Sequence, residues 1–278
     1  MPDSNKEFDF TELDKVKKVK VKTGNRYRII YVPSESIKGK IKSLLEFLYK
    51  SKLNNLVSPW ACAYVRGKSI VDAAKPHVGH EYVFKVDLKN FFENITYDKF
   101  VYEITAKKYN FMSFDYIMSH IKRIEPCFIK EKNGKVFLPP GFATSPILSN
   151  IFMGNFDWKV ATFAKKKNIN YTRYADDIIL SGDNRDNLQK VISYMMKILY
   201  NMKMEVNKKK IRMIPCHKRQ MVCGLVVNKK INLPKTTRKL IRAIKHNHRH
   251  DQILPPDIAG LLSYENMVKK QGNTQEAL

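Results

Sequence analysis

The chain has 278 residues, 44% hydrophobic and 11% aromatic, enough for one large or two modest packed domains and too apolar for a disordered chain. Lys and Arg number 51 against 26 Asp and Glu, a formal charge of +25, which calls for a polyanionic partner: nucleic acid first, a membrane surface second. No apolar run approaches the roughly 20 residues that span a bilayer, and the polar start Met1-Pro2-Asp3-Ser4-Asn5 is unlike a secretory leader.

The four cysteines share no C-x-x-C spacing, which fits reduced thiols in a cytoplasmic protein. From the N-terminus, Lys15 to Lys22 alternates lysine with valine, Thr23-Gly24-Asn25 reads as a turn, and Arg26 to Val32 closes at Pro33. This predicts a β-hairpin with one heavily basic side. Lysines of this kind protect an edge strand; the same surface also suits phosphates, and Arg28 is the residue singled out for that contact. Ile41, Leu44, Leu45 and Leu48 predict an amphipathic helix over 37–53. Residues 58–80 mix aromatic, basic and small side chains, and Tyr64, Arg66 and Lys68 fit a nucleic-acid channel and an ordinary loop equally well. Tyr82 to Val86 forms an apolar strand ending at Asp87, which as a lone residue reads as a cap or turn. Phe91 and Phe92 follow, core aromatics by residue type.

Residues 97–121 read as one helix, and 129–136 as a hairpin around Asn133-Gly134. A rigid Pro/Gly loop from Leu138 leads into a helix with Thr144 or Ser145 at its N-cap and Pro146 in its first turn. Ile147, Leu148, Ile151, Phe152, Phe156 and Val160 give that helix one broad apolar stripe. Tyr171 to Ser181 then reads as strand, turn, strand, with Ala175-Asp176-Asp177 at the tip. Adjacent carboxylates raise each other's pKa or recruit a cation, and hard divalent ions with oxygen ligands are the natural recruits. A polar turn is the plainer alternative for the pair alone; Asp87, at the end of a second strand, would make a three-carboxylate metal site.

Leu188, Val191, Ile192, Met195 and Leu199 predict a further amphipathic helix with a core-facing stripe. Lys208-Lys209-Lys210 clusters charge, Gln220 to Val227 is apolar around Gly224, and Asn228-Lys229-Lys230 turns the chain. From Pro234, Lys235, Arg238, Lys239, Arg242, Lys245 and Arg249 recur at helical spacing and predict a basic helical face. His246, His248 and His250 alternate within it without Cys or carboxylate partners at ligand spacing, which favours a phosphate-facing segment over a metal site. Pro255-Pro256 precedes a last short helix over 257–270 and a frayed tail from Gln271.

In this order the pieces resemble a bacterial retron-type reverse transcriptase, related to the group II intron-like enzymes, over residues 26–265. Tyr174-Ala175-Asp176-Asp177 matches that family's catalytic hairpin, and Asp87-Leu88-Lys89-Asn90-Phe91-Phe92 the strand bearing the third carboxylate. Leu138-Pro139-Pro140-Gly141 through Ser145-Pro146-Ile147-Leu148-Ser149-Asn150 matches the template and nucleotide loop, Asn207-Lys208-Lys209-Lys210 the lysine segment, and Val222 to Asn228 the primer-grip hairpin. Three positions depart from the pattern. Ala73 replaces Asn in the Asn-Ala-x-x-His motif that ends at His77, Cys223 replaces Thr of Val-Thr-Gly, and Pro140 replaces the Gln of the Leu-Pro-Gln-Gly loop.

The resemblance implies a right-hand polymerase of α/β (α+β) class with fingers (1–86), an antiparallel-sheet palm (87–233, with a fingers insertion near 122–140) and a short helical thumb (234–278). It implies that Asp87, Asp176 and Asp177, with the backbone carbonyl of Leu88, hold two Mg2+, with Mn2+ as the substitute ion. Arg28, Phe92, Gly141 and Lys210 would bind the nucleotide. Phe92 would act as a steric gate against the ribose 2′-OH, and Lys210 either as an acid or as a screen of charge. Lys235, Arg238, Lys239, Arg242 and Lys245 would follow the nucleic-acid backbone. The implied partners are dNTPs, a structured non-coding RNA that is template and primer, its RNA-linked single-stranded DNA product (msDNA), and an effector or toxin protein in anti-phage defence, with no membrane. Two rivals remain: an abortive-infection-type polymerase making untemplated DNA, and a non-catalytic RNA-binding scaffold, against which the complete set of carboxylates speaks.

Overall fold

The computed structural model describes residues 10–12, 16–23, 26–105, 112–248 and 255–272. Several sequence expectations therefore lie outside the described residues: the turn at 24–25, Lys15, Arg249, His250, and the tail beyond 272.

After β1 (Thr11–Glu12), strands β2 (Val16–Thr23) and β3 (Arg26–Pro33) form the expected antiparallel ribbon, registered from Val16↔Pro33 to Thr23↔Arg26. Among its described side chains, those of Val16 and Tyr31 at the inner end are buried; Lys17, Lys18, Lys20 and Lys22 are exposed. Helix α1 (Glu35–Lys50) follows, shorter than expected because a 3-10 turn (Lys52–Leu56) takes over its end. The capping box of Ser69 and Asp72 starts the short α2 (Ile70–Ala74) before β4 (Tyr82–Asp87) and α3 (Phe91–Asn94).

The single helix expected over 97–121 is two, α4 (Tyr97–Thr105) and α5 (Phe114–Ile124). Helix α5 has its own start, where the Ser113 hydroxyl accepts a hydrogen bond from the Tyr116 N–H; residues 106–111 lie outside the described residues. A hairpin of β5 (Ile129–Lys130) and β6 (Val136–Phe137) turns through Gly134 at φ +83°, with Asn133 Oδ1 accepting from the Lys135 N–H. Strand β1 adds to it in parallel, and Tyr31 meets Phe137 edge-on at 5.6 Å, docking the basic ribbon.

Helix α6 (Ser145–Lys166) goes beyond its predicted stripe, because its first half is buried on every side, polar residues Ser145, Ser149 and Asn150 included, and Asp157 beyond it is buried as well. It runs between the main sheet and the 3-10 turn, so tightly that a Cβ on Gly154 would fall 1.9 Å from the Leu56 carbonyl oxygen. Thr144 is the N-cap residue, but its hydroxyl makes no capping bond; the Ser145 hydroxyl donates to Pro139 O at 2.6 Å instead. Next come β7 (Asn170–Tyr174), β8 (Asp177–Gly182), α7 (Arg185–Asn201), β9 (Arg212–Pro215), the small hairpin β10 (Met221–Val222) and β11 (Leu225–Val226), then α8 (Lys235–Asn247) and α9 (Pro256–Gly272).

The main sheet is antiparallel in the order β7-β8-β4-β9. Strand alternation splits its side chains between two cores. Phe84, Val86, Ile178 and Leu180 join the larger core with α6 and α7. Val83 and Ile179 point the other way, onto Val71, Val222, Leu225, Leu233, Ile241 and Val268, so α2, the β10–β11 hairpin, α8 and α9 cover the second face.

One buried ion pair crosses from helix to sheet. Arg173 of β7 and Asp157 of α6 are both fully buried and joined twice, Nε to Oδ1 and Nη2 to Oδ2, each at 2.8 Å. Tyr171 donates its hydroxyl to the same Oδ1 at 2.5 Å, and Arg173 Nη1 donates to Ala175 O at 3.0 Å. Removing one partner strands a charge in a dry core. Arg173→Ala is therefore expected to lower stability by about 3–5 kcal/mol in chemical denaturation, while the paired apolar replacement Arg173→Met with Asp157→Leu should recover much of it.

Candidate active site

The Asp-bearing turn is a two-residue connection between β7 and β8, closed by the Tyr174↔Asp177 pair. Ala175 takes the left-handed conformation at φ 56° that such a turn requires. Asp177 lies directly across from Asp87, the last residue of β4, and the Leu88 N–H donates to Asp176 O at 3.1 Å. Three carboxylates thus meet at one end of the sheet. Burial raises the pKa of Asp176, with Asp87 and Asp177 adding to the rise and Lys210 opposing it. Burial likewise raises Asp177; Lys85 and Lys210 oppose that rise and Asp87 adds to it.

Residues 205–210 are stapled to the other side of Asp87. The Lys89 N–H donates to Glu205 O and the Asn207 N–H to Asp87 O, each at 2.8 Å. The Asn207 side chain reaches Asp87 Oδ2 at 3.3 Å, and a single 3-10 turn (Lys208–Lys210) brings Lys210 Nζ to Asp87 Oδ1 at 2.6 Å. Among the described residues no three His, Cys, Asp or Glu side chains are drawn together at metal-ligand spacing; Asp87 takes the Lys210 ammonium as its countercharge. The donor set nonetheless suits a hard divalent ion. Its ligands are oxygen only, and the Asp176 and Asp177 carboxyls, raised by burial and by the Asp87 charge, are stabilised by positive charge placed among them.

A cleft of about 860 Å³ opens over this point. Arg28, Asp87, Leu88, Phe92, Gly141, Asp176 and Lys210 all line it, so seven of the residues singled out in the sequence come to one place. Asp177 backs the cleft through its pairing with Asp87. Phe92 is half-buried against the buried Phe91, their rings 5.3 Å apart, and both rings reach the cleft while packing on the core. Gly141, at φ +115°, packs on β3, where Tyr31 N donates to Pro140 O at 2.8 Å; a Cβ there would lie 2.6 Å from Tyr31 O. Its bare backbone is needed to seat the ribbon that carries Arg28.

The basic residues of α8 do not line this cleft. Lys235, Lys239 and Arg242 are exposed, Arg238 is half-buried, and Lys245 is held by Glu265 of α9 at 2.7 Å. Within residues 58–80 the three side chains singled out have different neighbours. Arg66 stacks 4.1 Å over the Tyr49 ring, and Lys68 donates to Ala61 O at 2.9 Å and to the Pro59 carbonyl, so both brace a loop; Tyr64 lines the cleft. His77 is fully buried and bridges Thr172 and Ser181 at 2.8 and 2.7 Å, with burial lowering its pKa to about 3. Ala73, where the motif usually has Asn, takes a bond from the Thr172 hydroxyl to its carbonyl. Cys223 and Gly224 are both left-handed, the turn of the β10–β11 hairpin. Sequence reasoning missed Asn207 as a partner of Asp87, and the Arg173–Asp157 pair behind the turn. The available signal was a lone charge inside each of two apolar segments.

Comparison with known proteins follows the same lines. The family profile described as reverse transcriptase (RNA-dependent DNA polymerase) matches residues 17–256. The retron Ec83 reverse transcriptase of Escherichia coli is 30% identical over 268 residues, covering 89% of this chain and 84% of that protein. The retron Mx65 reverse transcriptase of Myxococcus xanthus is 30% identical over 254 residues, covering 88% of this chain and 59% of that protein. Among solved structures, telomerase from Candida tropicalis with a fragment of telomeric RNA superposes with a TM-score of 0.55 at 14% identity, over 94% of this chain and 54% of that one. A foamy viral protease-reverse transcriptase with double-stranded DNA gives 0.50 at 15% identity, over 95% and 39%. At such identity these likenesses speak for the fold, a right-hand α/β polymerase.

The raised carboxylates carry a sign that can be measured. A folded pKa above the unfolded one gives stability that is present at low pH and lost as pH rises through the folded pKa, so Asp176 costs stability toward neutral pH. Asp176→Asn is expected to raise the Tm of the metal-free protein at pH 7 and to leave it nearly unchanged near pH 3. Added Mg2+ should raise the Tm of the wild type more than that of the variant; a Tm lowered by the substitution at pH 7 would contradict the charge assignment.

Proposed function

This chain belongs to the reverse transcriptase family, as an RNA-directed DNA polymerase of retron type, and we propose that it copies a structured non-coding RNA into single-stranded DNA joined to that RNA. The observation that carries this reading is the meeting of Asp87 and Asp176 with Arg28 and Lys210 in one cleft. In the proposed arrangement residues 1–86 act as fingers, 87–233 as palm with the hairpin near 122–140 added to the fingers, and 234–278 as thumb.

Asp87, Asp176 and Asp177, with the Leu88 carbonyl, would hold divalent ions, Mg2+ or Mn2+, which supply activation of the primer hydroxyl and neutralisation of the pyrophosphate. The chain's own groups do the rest. Arg28, on an exposed strand at the cleft mouth, binds the triphosphate oxygens of the dNTP through its planar guanidinium. Lys210, which pairs with Asp87 Oδ1 at 2.6 Å, would screen the leaving group or give it a proton. Phe92 closes the space beside the ribose C2′, admitting deoxyribose and rejecting the hydroxyl. Gly141 lets the loop approach the nucleotide without a side chain. The exposed cations of α8, Lys235, Lys239 and Arg242, follow the phosphate backbone without reading sequence, with Arg238 and Lys245 also tied into the helix packing.

The remaining parts of the reading concern the protein's setting. The RNA serves as template and offers a 2′-OH as the first primer, and an effector or toxin protein joins the RNA–DNA product in phage defence. Buried free thiols at Cys62 and Cys127 suit a reducing cytoplasm, and among the described residues no helix is long and apolar enough to cross a membrane.

Two experiments test this. The protein purified from its host with its nucleic acid should carry an RNA-linked DNA of defined length that is absent from an Asp176→Asn/Asp177→Asn variant. DNA unrelated to any co-purified RNA would mean untemplated synthesis, and RNA without DNA would mean a scaffold. Phe92→Ala is expected to admit ribonucleotides in primer extension, with a loss of sugar discrimination of about tenfold or more; undiminished discrimination would remove the gate from Phe92.

A further inference from the structure

The roles given above use the phosphate and sugar ends of the cleft and leave Tyr64 without a task. Its backbone sits at φ 60°, the left-handed region in which a bulky L residue is crowded against its own carbonyl. Neither a turn glycine nor a neighbouring glycine relieves it, since Ala63 and Val65 flank it.

The surrounding loop is fixed from several sides. Asn150 of α6 donates its side-chain N–H to Ala63 O, and the Cys62 N–H donates to Arg173 O, both at 2.8 Å. The Lys68 N–H reaches Val65 O at 3.1 Å, its ammonium holds Ala61 O at 2.9 Å, and Arg66 is stacked on Tyr49. An unfavourable conformation so thoroughly braced is a reason to look for a function at that residue.

The bracing turns a large aromatic ring out of the core, leaving Tyr64 45% exposed on the cleft wall. The ring shares that cleft with Asp176 and Arg28, and both charges are close enough to act on its phenol. Among the cleft residues already assigned, Arg28 and Lys210 suit phosphate and Phe92 suits the sugar, and none offers an open face to a base. An enzyme that copies all four bases needs support for the base that does not read its edge. Stacking meets that need, because every base has a π face, whereas a hydrogen-bonding side chain would favour some bases over others.

We propose that Tyr64 is the nucleobase platform of this cleft, its ring stacking on the pair formed by the incoming nucleotide and the template base. The left-handed backbone is what aims the ring, and Arg173 is the common anchor of platform and Asp turn: its carbonyl takes the Cys62 N–H, and its guanidinium holds Ala175 O. The inference rests on the polymerase reading.

The test is single-nucleotide insertion on an annealed RNA template and DNA primer, with each of the four dNTPs in turn. Tyr64→Phe keeps the ring. Tyr64→Gly removes it while suiting the left-handed backbone, so it serves as the variant that folds. The expected result is a wild-type KM for Tyr64→Phe, and for Tyr64→Gly a KM raised about tenfold or more for every dNTP, with kcat changed less and Tm not lowered. A wild-type KM in Tyr64→Gly would overturn the platform, as would an equal loss in Tyr64→Phe, which would assign the work to the hydroxyl. If the wild-type chain inserts nothing on this substrate, the polymerase reading falls; insertion indifferent to the ring removes the platform alone.

Discussion

The guanidinium of Arg173 is the point on which the working end of the molecule hangs. Burying it is expensive, and the interior tolerates it only because Asp157 meets it with two parallel bonds and Tyr171 fills a remaining acceptor site. Desolvation pulls against its charge, but the Asp157 carboxylate outweighs that and keeps the arginine protonated. A lysine could not do the same work, since a single ammonium cannot both grip a carboxylate in a fork and reach the Ala175 carbonyl. Helix α6, strand β7, the Asp turn and the Tyr64 loop are thereby fixed to one another by a single side chain and its backbone.

Unfavourable features gather in front of this anchor more than behind it. The core behind α6 is dry and close-packed, with Gly154 admitting a backbone contact that no other residue would allow. The cleft side gathers raised carboxylates, the left-handed Tyr64, and Asn90 at φ 44° beside Phe91, with left-handed Ala175 next to Asp176 in the turn behind. Each of these opposes folding. Their concentration in one place fits a site whose parts are held ready for charges and rings supplied by substrate, with the cost borne by the core.

The excess of positive charge is also unevenly used. Part stands on the exposed side of the β2–β3 ribbon and part on the exposed side of α8, where it is available to a polyanion. Other cations also pair with groups of the protein itself: Lys210 with Asp87, Lys245 and Lys269 with Glu265, and Lys99 with the carbonyls of Asn94 and Lys203. Net charge therefore identifies the kind of partner, and the ion-pair pattern identifies which residues are free to meet it.

Much of the site was legible in the sequence, because its signals are local. Alternating apolar residues around Ala175-Asp176-Asp177 dictate a hairpin, Val86 before Asp87 ends a strand, and Pro140-Gly141 sets a loop, each through backbone preferences that act within a few residues. Ser113 as a helix start is equally local, yet the apolar spacing over 97–121 obscured it. What the sequence alone could not decide depends on groups distant along the chain. Asp157 and Arg173 become partners only when helix and sheet pack, Asn207 reaches Asp87 across 120 positions, and Tyr64 comes to the cleft and Arg66 to the Tyr49 ring only through the fold. Burial on all sides of the first half of α6 is likewise a property of its surroundings, since an apolar stripe says which face must be covered and nothing about whether the other faces are covered too.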